Sequence, residues 1–258
     1  MKEEKENAQN ILKDQTLHVL KSAKELYVLV SPHTKMPYVT CNPETFDDEI
    51  LVYSREEDAG KEKKHLAEKN ISVNLIKLEN KKFLSCYTNL YTMGVNCIVL
   101  NHKAEGEVSV QLNELVKKPD SENLPKGSVW VENPELHLTA LYFMQELRRQ
   151  PEAMMSEDLK EIQEEMLAHY QEGSYIIAAK ETDGRREIPI LNMKNGDSLQ
   201  PVFTDVFEFS KFNVNNQFHT LVIGAEKIPE ILAPEVKGVV INPFGVNVPL
   251  SVTRKKKD

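Results

Sequence analysis

Histidine and cysteine are the side chains of this sequence best suited to bind a metal or to carry out acid–base and nucleophilic chemistry. The seven histidines are scattered, and no two stand three or four residues apart, the spacing that places two ligands on one helix face. A zinc site formed by His33, Cys41 and His65 is conceivable, but isolated histidines are more often surface residues or hydrogen-bonded core residues. We therefore predict no metal centre from these residues.

Acidic residues offer a second type of chemistry. Asp47, Asp48 and Glu49 could together bind a divalent cation, but three adjacent carboxylates before a strand are usually solvated. Residues 181–184 are typical of a turn and contain no predicted catalytic pair. The chain also lacks a phosphate-binding glycine loop, a zinc-protease motif and a nucleophile elbow. These observations predict a protein that is not an enzyme and that uses neither a metal nor a cofactor.

Two strand ends in the second half form the best candidate site. An Asn-Pro-Phe-Gly turn follows one predicted strand, and a Phe-Thr pair ends another. In open α/β sheets, ligands bind beyond the carboxyl ends of parallel strands, so these residues stand where a ligand or partner would meet them. The candidate surface consists of Phe203, Thr204, Asn242, Pro243, Phe244 and Gly245. The alternative is that Asn242 stabilises its own turn and Phe244 covers the sheet edge.

The elements that position these residues begin with an amphipathic helix over residues 8–25, preceded by seven residues expected to be disordered. Residues 26–116 then read as β-β-β-α-β-α-β-β. Strands are predicted at 26–31, 36–41, 49–54, 71–78, 95–101 and 107–110, and helices at 55–70 and 81–94, the second ending at Gly94. The strand–helix–strand order from residue 49 to 101 requires some parallel pairing, so a mixed sheet is expected.

The same order of elements recurs from residue 174, which predicts a tandem duplication. Strands are predicted at 174–179, 188–191, 198–204, 218–224, 239–242 and 249–252, with a helix at 225–238 that ends in Gly238. The best landmarks are three pairs that end the third strand of each half: Val52/Val202, Tyr53/Phe203 and Ser54/Thr204. The hydroxyl residue of the last pair stands where a helix N-cap belongs. Asn101 and His102 mark the first-half counterpart of the Asn242 turn.

The predicted fold class is α/β with a mixed α+β sheet, in two tandem domains at 26–116 and 174–254. Residues 117–173 form a polar linker and a helical hairpin between them, with helices at 132–149 and 156–173. Asn133, Pro134 and Ser156 mark where these helices start. Residues 1–25 are an N-terminal tail and helix, and residues 255–258 are a basic tail. A single domain with one continuous sheet is the alternative.

The second half resembles the N-terminal domain of the enhanced serine sensitivity protein family, SseB. The likeness lies in the Pro-Val-Phe-Thr segment at 201–204 and in residues 238–245. The first half is similar to a more divergent copy, through residues 47–59 and 90–101, and has His102 in place of the expected proline. The resemblance implies a cytoplasmic bacterial protein linked by name to serine sensitivity. It implies no agreed activity, cofactor or catalytic residue.

Charge and composition narrow the classes of partner. The 258 residues carry a net charge of −8, and the only basic run is Arg254–Lys257, which argues against nucleic acid. The longest apolar stretches are strand-sized, so no membrane-spanning helix is predicted. The three cysteines form no close pair and stand in apolar stretches, which predicts buried, reduced thiols. The N-terminal segment lacks the apolar core of a signal peptide, so a cytoplasmic location is expected.

These features predict a non-enzymatic cytoplasmic interaction or regulatory protein of the SseB type. Its partner is expected to be another protein, and the helices over 132–171 could also pair two copies as a homodimer. One alternative function is a sensor of a small molecule, such as an amino acid or a nucleotide, at the strand ends. A further alternative is an enzyme whose active residues form no local motif.

Overall fold

The computed structural model describes residues 2–119, 129–149, 155–182 and 184–255, with side chains described from residue 10 onward. The chain divides into two compact units. The first consists of Met1–Pro119 and Arg148–Glu152, and the second of Asp120–Leu147 and Ala153–Asp258. Each unit contains mixed strand pairings together with helices, which confirms the predicted α/β class.

The first unit is built on a mixed sheet. Its strands are β1 (Glu25–Val30), β2 (Val39–Cys41), β3 (Asp48–Tyr53), β4 (Asn74–Glu79), β5 (Cys97–Leu100) and β6 (Val108–Gln111). Its helices are α1 (Lys2–Ser22), α2 (Glu56–Glu68), α3 (Phe83–Thr92) and α4 (Leu112–Leu115). The strand order is β4-β1-β3-β5-β6, and β2 pairs with the remaining part of β3. Only the β3–β5 pair is parallel, so the mixed sheet expected from the element order is confirmed.

Burial explains why the sequences of the central strands of this sheet are continuous apolar runs. All four residues of β5 are buried, and β3 is buried from Glu49 to Tyr53. Helix α2 covers one side by packing Ala59 and Leu66 into a cluster with Tyr53. Such strands are covered on both faces, which is typical of parallel pairing.

The second unit contains α5 (Pro134–Arg149) as far as Leu147, and helices α6 (Glu157–Glu172), α7 (Val206–Phe212) and α8 (Ile228–Ile231). Its strands are β7 (Ser174–Thr182), β8 (Arg185–Glu187), β9 (Leu191–Asn192), β10 (Ser198–Val202), β11 (His219–Gly224), β12 (Gly238–Ile241) and β13 (Val248–Ser251). They form the arrays β13-β12-β10-β9 and β11-β7-β8. Two 3.0 Å backbone hydrogen bonds between Ile176 and Phe203 join β7 to the end of β10. Strands β10 and β12 are parallel.

The two units repeat one strand order. With the Ile176–Phe203 bridge, the second unit reads β11-β7-β10-β12-β13, which corresponds to β4-β1-β3-β5-β6. Helices α1 and α6 also correspond. A backbone carbonyl just after each helix accepts a 3.0 Å hydrogen bond from the backbone amide of the residue that follows the edge strand, β4 or β11. These pairs are Lys24 with Asn80 and Gly173 with Ala225. The repeated unit therefore includes the helix that precedes its first strand.

Several predicted boundaries differ from the structure. Helix α1 begins at Lys2, so the expectation of seven disordered residues is wrong; Lys and Glu in this segment are good helix formers. Of the segment 225–238, only a 3₁₀ turn (Ala225–Lys227) and α8 are helical. Gly238 opens β12 instead of ending a helix, and this position requires glycine, because a Cβ atom there would lie 2.0 Å from the Leu250 carbonyl oxygen. Gly94, at φ 79°, does end α3 as predicted.

Helices α5 and α6 confirm both predicted connector helices, and the Ser156 hydroxyl caps α6 by accepting from the Leu159 amide. The chain between them, most of the predicted linker and the end of the basic tail lie outside the described residues. The three cysteines are free, but Cys41 is exposed and Cys86 half-buried, so only Cys97 is the buried thiol that the sequence predicted. Among the described residues, no helix has the length and apolar character needed to cross a membrane.

Candidate functional site

The two strand ends of the predicted site meet in the second unit. Asn242 follows β12 and Thr204 follows β10, and both are fully buried. The Thr204 amide donates to Asn242 Oδ1 at 3.0 Å, and Asn242 Nδ2 donates to Thr204 Oγ1 at 2.8 Å. Asn242 takes φ 47°, a left-handed conformation that asparagine tolerates better than most residues. The side chain of Asn242 therefore locks two neighbouring strand ends together.

The first unit contains the same link. Asn101, at φ 57°, accepts from the Ser54 amide at 2.9 Å and from the Ser54 hydroxyl at 3.0 Å. The predicted N-cap role of Ser54 and Thr204 is therefore wrong, since each hydroxyl bonds instead to the facing asparagine. Asp205 caps α7 by accepting from the Phe207 and Glu208 amides.

A buried ionisable group lies directly behind Thr204. His137, from α5, places Nδ1 3.5 Å from Asp205 Oδ2 and Nε2 3.8 Å from Glu208 Oε1. All three side chains are buried. Burial by itself would raise the pKa of Asp205. Hydrogen bonds from His137, the Glu208 amide and Thr204, together with the charge of the nearby imidazole, instead hold this pKa below its usual value. Lys211 donates to Glu208 at the rim of this group.

Sequence reasoning missed this cluster. Asp205 and Glu208 stand at the N-cap and N3 positions of a helix, a spacing that resembles a capping box and could have singled them out. Nothing local in the sequence marks His137, because it comes from a helix more than sixty residues earlier in the chain. Only the packing of α5 brings the three residues together.

The cluster contains the groups of a hydroxyl–histidine–carboxylate relay, but their hydrogen bonds follow a different pattern. The Thr204 hydroxyl donates to Asp205 Oδ2 at 2.8 Å and lies 3.4 Å from His137 Nδ1. A nucleophile would instead donate its proton to the histidine and face a substrate. Here Thr204 and His137 are fully buried, so the arrangement stabilises the strand ends and presents no reacting atom to solvent.

Five phenylalanines pack against one another beside the strand ends: Phe203, Phe209, Phe212, Phe218 and Phe244. We call them the phenylalanine cluster. Phe203 is fully buried and Phe244 is 49% exposed, with Phe212 between them at ring distances of 5.3 and 5.9 Å. The cluster therefore connects the core to an exposed aromatic ring.

The two remaining residues of the predicted surface flank Phe244 in the same turn. Pro243 is half-buried and Gly245 is buried. A Cβ atom on Gly245 would lie 2.6 Å from Glu208 Oε2, so the turn can approach the buried carboxylate only with glycine at this position. Of the six predicted residues, Phe244 is the one whose side chain is exposed.

The corresponding place in the first unit is an open cleft of about 290 Å³. Ionisable side chains of α2 and of the loop after β5 line it: Asp58, Lys61, Glu62, His65, His102 and Lys103. Lys61 pairs with Asp58 at 2.9 Å and Lys103 with Glu62 at 3.2 Å. The first-half counterpart of the site is thus charged and open, while the second-half site is apolar and filled.

Metal-ligand side chains converge in one place among the described residues, at Asp47, Glu49 and Cys97. His33, Cys41 and His65 do not belong to that group.

Comparison with known proteins identifies no family for this chain. No family model and no curated protein matches it. A structure titled Tic22 from Plasmodium falciparum is 13% identical, with a TM-score of 0.23, over 86% of this chain and 90% of that one. Anabaena Tic22, titled as a protein transport protein, is 8% identical, with a TM-score of 0.22, over 88% and 92%. These scores are too low to support an argument, and the resemblance to the SseB family stays a prediction.

Proposed function

We propose that this chain is a non-enzymatic interaction or regulatory protein of the SseB type that acts in a reducing, cytoplasmic environment and binds a protein partner through Phe244. The observation that carries the proposal is that the strand ends bury their polar side chains and expose an apolar one. The polar atoms of Asn242 and Thr204 are bonded to each other, and the side chain that remains exposed is an aromatic ring.

This arrangement favours an apolar partner over a polar small molecule at the same place. An amino acid or nucleotide would need hydrogen-bonding groups that face the solvent. The Asn242 amide and the Thr204 hydroxyl are fully buried and already bonded, so a polar ligand would have to break the link between the strands. An apolar side chain of a protein could instead pack on Phe244 without disturbing it.

The phenylalanine cluster also gives Phe244 the properties of an interface anchor. Its ring lies 5.9 Å from that of Phe212, which in turn packs 5.3 Å from Phe218. A supported ring loses little conformational freedom on binding, and a few such residues supply most of the affinity of many interfaces.

The test uses Phe46 as a matched control, since it is also an exposed phenylalanine, at 77%, but lies in the first unit. A photo-crosslinking amino acid is placed at position 244 or at position 46, and the protein cross-linked in cells is identified by mass spectrometry. That protein is then purified, and its affinity for the unaltered chain, Phe244→Ala and Phe46→Ala is measured by calorimetry.

We expect a partner that cross-links at 244 and not at 46, with an affinity that Phe244→Ala lowers by about tenfold or more and Phe46→Ala leaves unchanged. Equal cross-linking at both positions, or equal affinity of the two variants, would contradict the proposal. Light scattering on the same samples tests the predicted homodimer through residues 132–171.

The small-molecule alternative is favoured by a different observation, the charged cleft of the first unit. Its volume of about 290 Å³ is close to the lower end of small-molecule sites. A thermal-shift screen with amino acids and nucleotides tests it, because a ligand that binds the native state raises the melting temperature. A shift that His102→Ala abolishes and Asn242→Gly leaves in place would assign the ligand to this cleft; the absence of any shift would remove the sensor function.

A further inference from the structure

Three potential metal ligands lie together at the end of the first unit's sheet opposite to Asn101. Glu49 and Cys97 are paired neighbours on the parallel strands β3 and β5, and Asp47 immediately precedes β3. The Cys97 sulfur lies 3.8 Å from Glu49 Oε1. The ligand atoms of all three side chains lie within 4.8 Å of one another.

Glu49 is a largely buried carboxylate whose partners among the described residues carry no positive charge. Glu49 is 5% exposed and Cys97 is fully buried. Glu49 Oε1 accepts from Asn42 Nδ2 at 3.1 Å and from the Cys97 thiol at 3.8 Å, and among the described residues no basic side chain pairs with this carboxylate. A largely buried carboxylate without a positive partner is costly, and a bound cation would offset that cost. The expectation of a solvated acidic cluster is therefore wrong for Glu49.

Two amide donors fix the orientation of the Asp47 carboxylate. Its Oδ1 accepts from Asn96 Nδ2 at 2.9 Å, and its Oδ2 accepts from Gln111 Nε2 at 3.0 Å. Each carboxylate oxygen has a second lone pair that these bonds leave available. Amide donors that orient a carboxylate in this way are typical of the groups that support a metal ligand.

We propose that Asp47, Glu49 and Cys97 bind one zinc ion. Zinc accepts thiolate and carboxylate ligands together, with bonds of about 2.3 Å to sulfur and about 2.1 Å to oxygen, which place the two ligand atoms about 3.6 Å apart in a tetrahedron. The 3.8 Å between Cys97 and Glu49 is close to that edge. On binding, the Cys97 thiol loses its proton to solvent and the sulfur donates an electron pair to zinc, while water completes the coordination.

The inference is independent of the Phe244 interface and is tested on the full-length chain without an affinity tag. The protein is stripped with a chelator and titrated with zinc against a competing dye, and a parallel sample is loaded with cobalt. We expect one equivalent of zinc and, in the cobalt protein, a near-ultraviolet charge-transfer band from the thiolate. Cys97→Ala and Glu49→Gln should each weaken zinc binding by more than about tenfold, the scale on which even supporting groups act.

Two controls separate the site from its surroundings. Cys86→Ala removes a half-buried thiol elsewhere in the unit, and Asp48→Asn removes a neighbouring carboxylate; both should retain zinc binding. Absence of stoichiometric zinc, or a cobalt protein without the thiolate band, would overturn the proposal. Both readouts come from the unaltered chain, so they decide the question even where a variant does not fold. Zinc binding that survives in both Cys97→Ala and Glu49→Gln would overturn it as well.

Discussion

The two units differ at the two positions that flank their shared asparagine link. In the first unit, Glu62 of α2 and Lys103 after β5 form a 3.2 Å ion pair beside an open cleft. The register that aligns Ser54 with Thr204 and Asn101 with Asn242 places Phe212 and Phe244 at the same two positions of the second unit. There the two rings pack 5.9 Å apart.

This difference shows how one backbone arrangement supports two kinds of surface. The asparagine and the facing hydroxyl determine the path of the strand ends in both units, and therefore they recur. The pair beside them is free to vary, because an ion pair leaves a polar cleft, whereas two rings fill the same place and expose an apolar face. The polar or apolar character of the surface in each unit therefore depends on this pair and not on the link.

The largest expected effect comes from His137. Replacing it with alanine leaves Asp205 and Glu208 buried without the imidazole between them, so we expect a loss of about 3 kcal/mol in unfolding free energy. His102→Ala, in the first unit, should cost less than about 1 kcal/mol, because His102 pairs with Glu107 at the surface. Urea denaturation measures both; equal losses would show that the second unit's cluster is not specifically stabilising.

A smaller difference is expected between the two asparagine links. Asn242→Gly and Asn101→Gly both keep the left-handed conformation available and remove only the side-chain bonds. We expect about 2 kcal/mol at Asn242, whose partners are buried, and about 1 kcal/mol at Asn101, whose partner Ser54 is exposed. A larger loss at Asn101 in urea denaturation would contradict the idea that burial separates the two sites.

The pH dependence of stability should also distinguish the units. The pKa of Asp205 is lowered in the folded state, so its stabilisation is present above the unfolded pKa and is lost as the pH falls through the folded value. Below about pH 4, unfolding free energy should therefore decrease, and Asp205→Asn should flatten this slope. The pKa of Asp58 is lowered by contacts with the exposed side chains of Lys61 and Arg55. Its contribution to stability should therefore depend on salt concentration, unlike that of Asp205. An acid titration that Asp205→Asn does not alter would contradict this assignment.

The smallest expected effect on stability is that of Phe244→Lys, which introduces the residue type of Lys103. Because about half of the ring is exposed, the change should cost less than about 1 kcal/mol of unfolding free energy while abolishing partner binding. Thermal unfolding and calorimetry test the two halves of the expectation. A variant that unfolds much earlier would show that Phe244 serves the core more than the surface.

Patterns within short segments predicted many of these features. The pairs Val52/Val202, Tyr53/Phe203 and Ser54/Thr204 coincide in the register of the two sheets, as the sequence indicates. The first strands of the two units do not coincide in this way. Ile176 pairs with Phe203 as Tyr27 pairs with Tyr53, whereas the apolar pattern of the sequence aligns Ile176 with Val28, one residue further on. An apolar run without alternation fits either register, so hydrogen bonds to neighbouring strands decide between them.

The sequence by itself determined the α/β class, the recurring element order, the N-cap at Ser156 and the asparagine turns, because each depends on residues that are close in the chain. Only the tertiary structure decided that His137 meets Asp205, that Cys97 meets Glu49 and that Phe244 is the exposed member of its cluster. These contacts join elements far apart in sequence, and burial and proximity of that kind arise only when the sheets and helices pack.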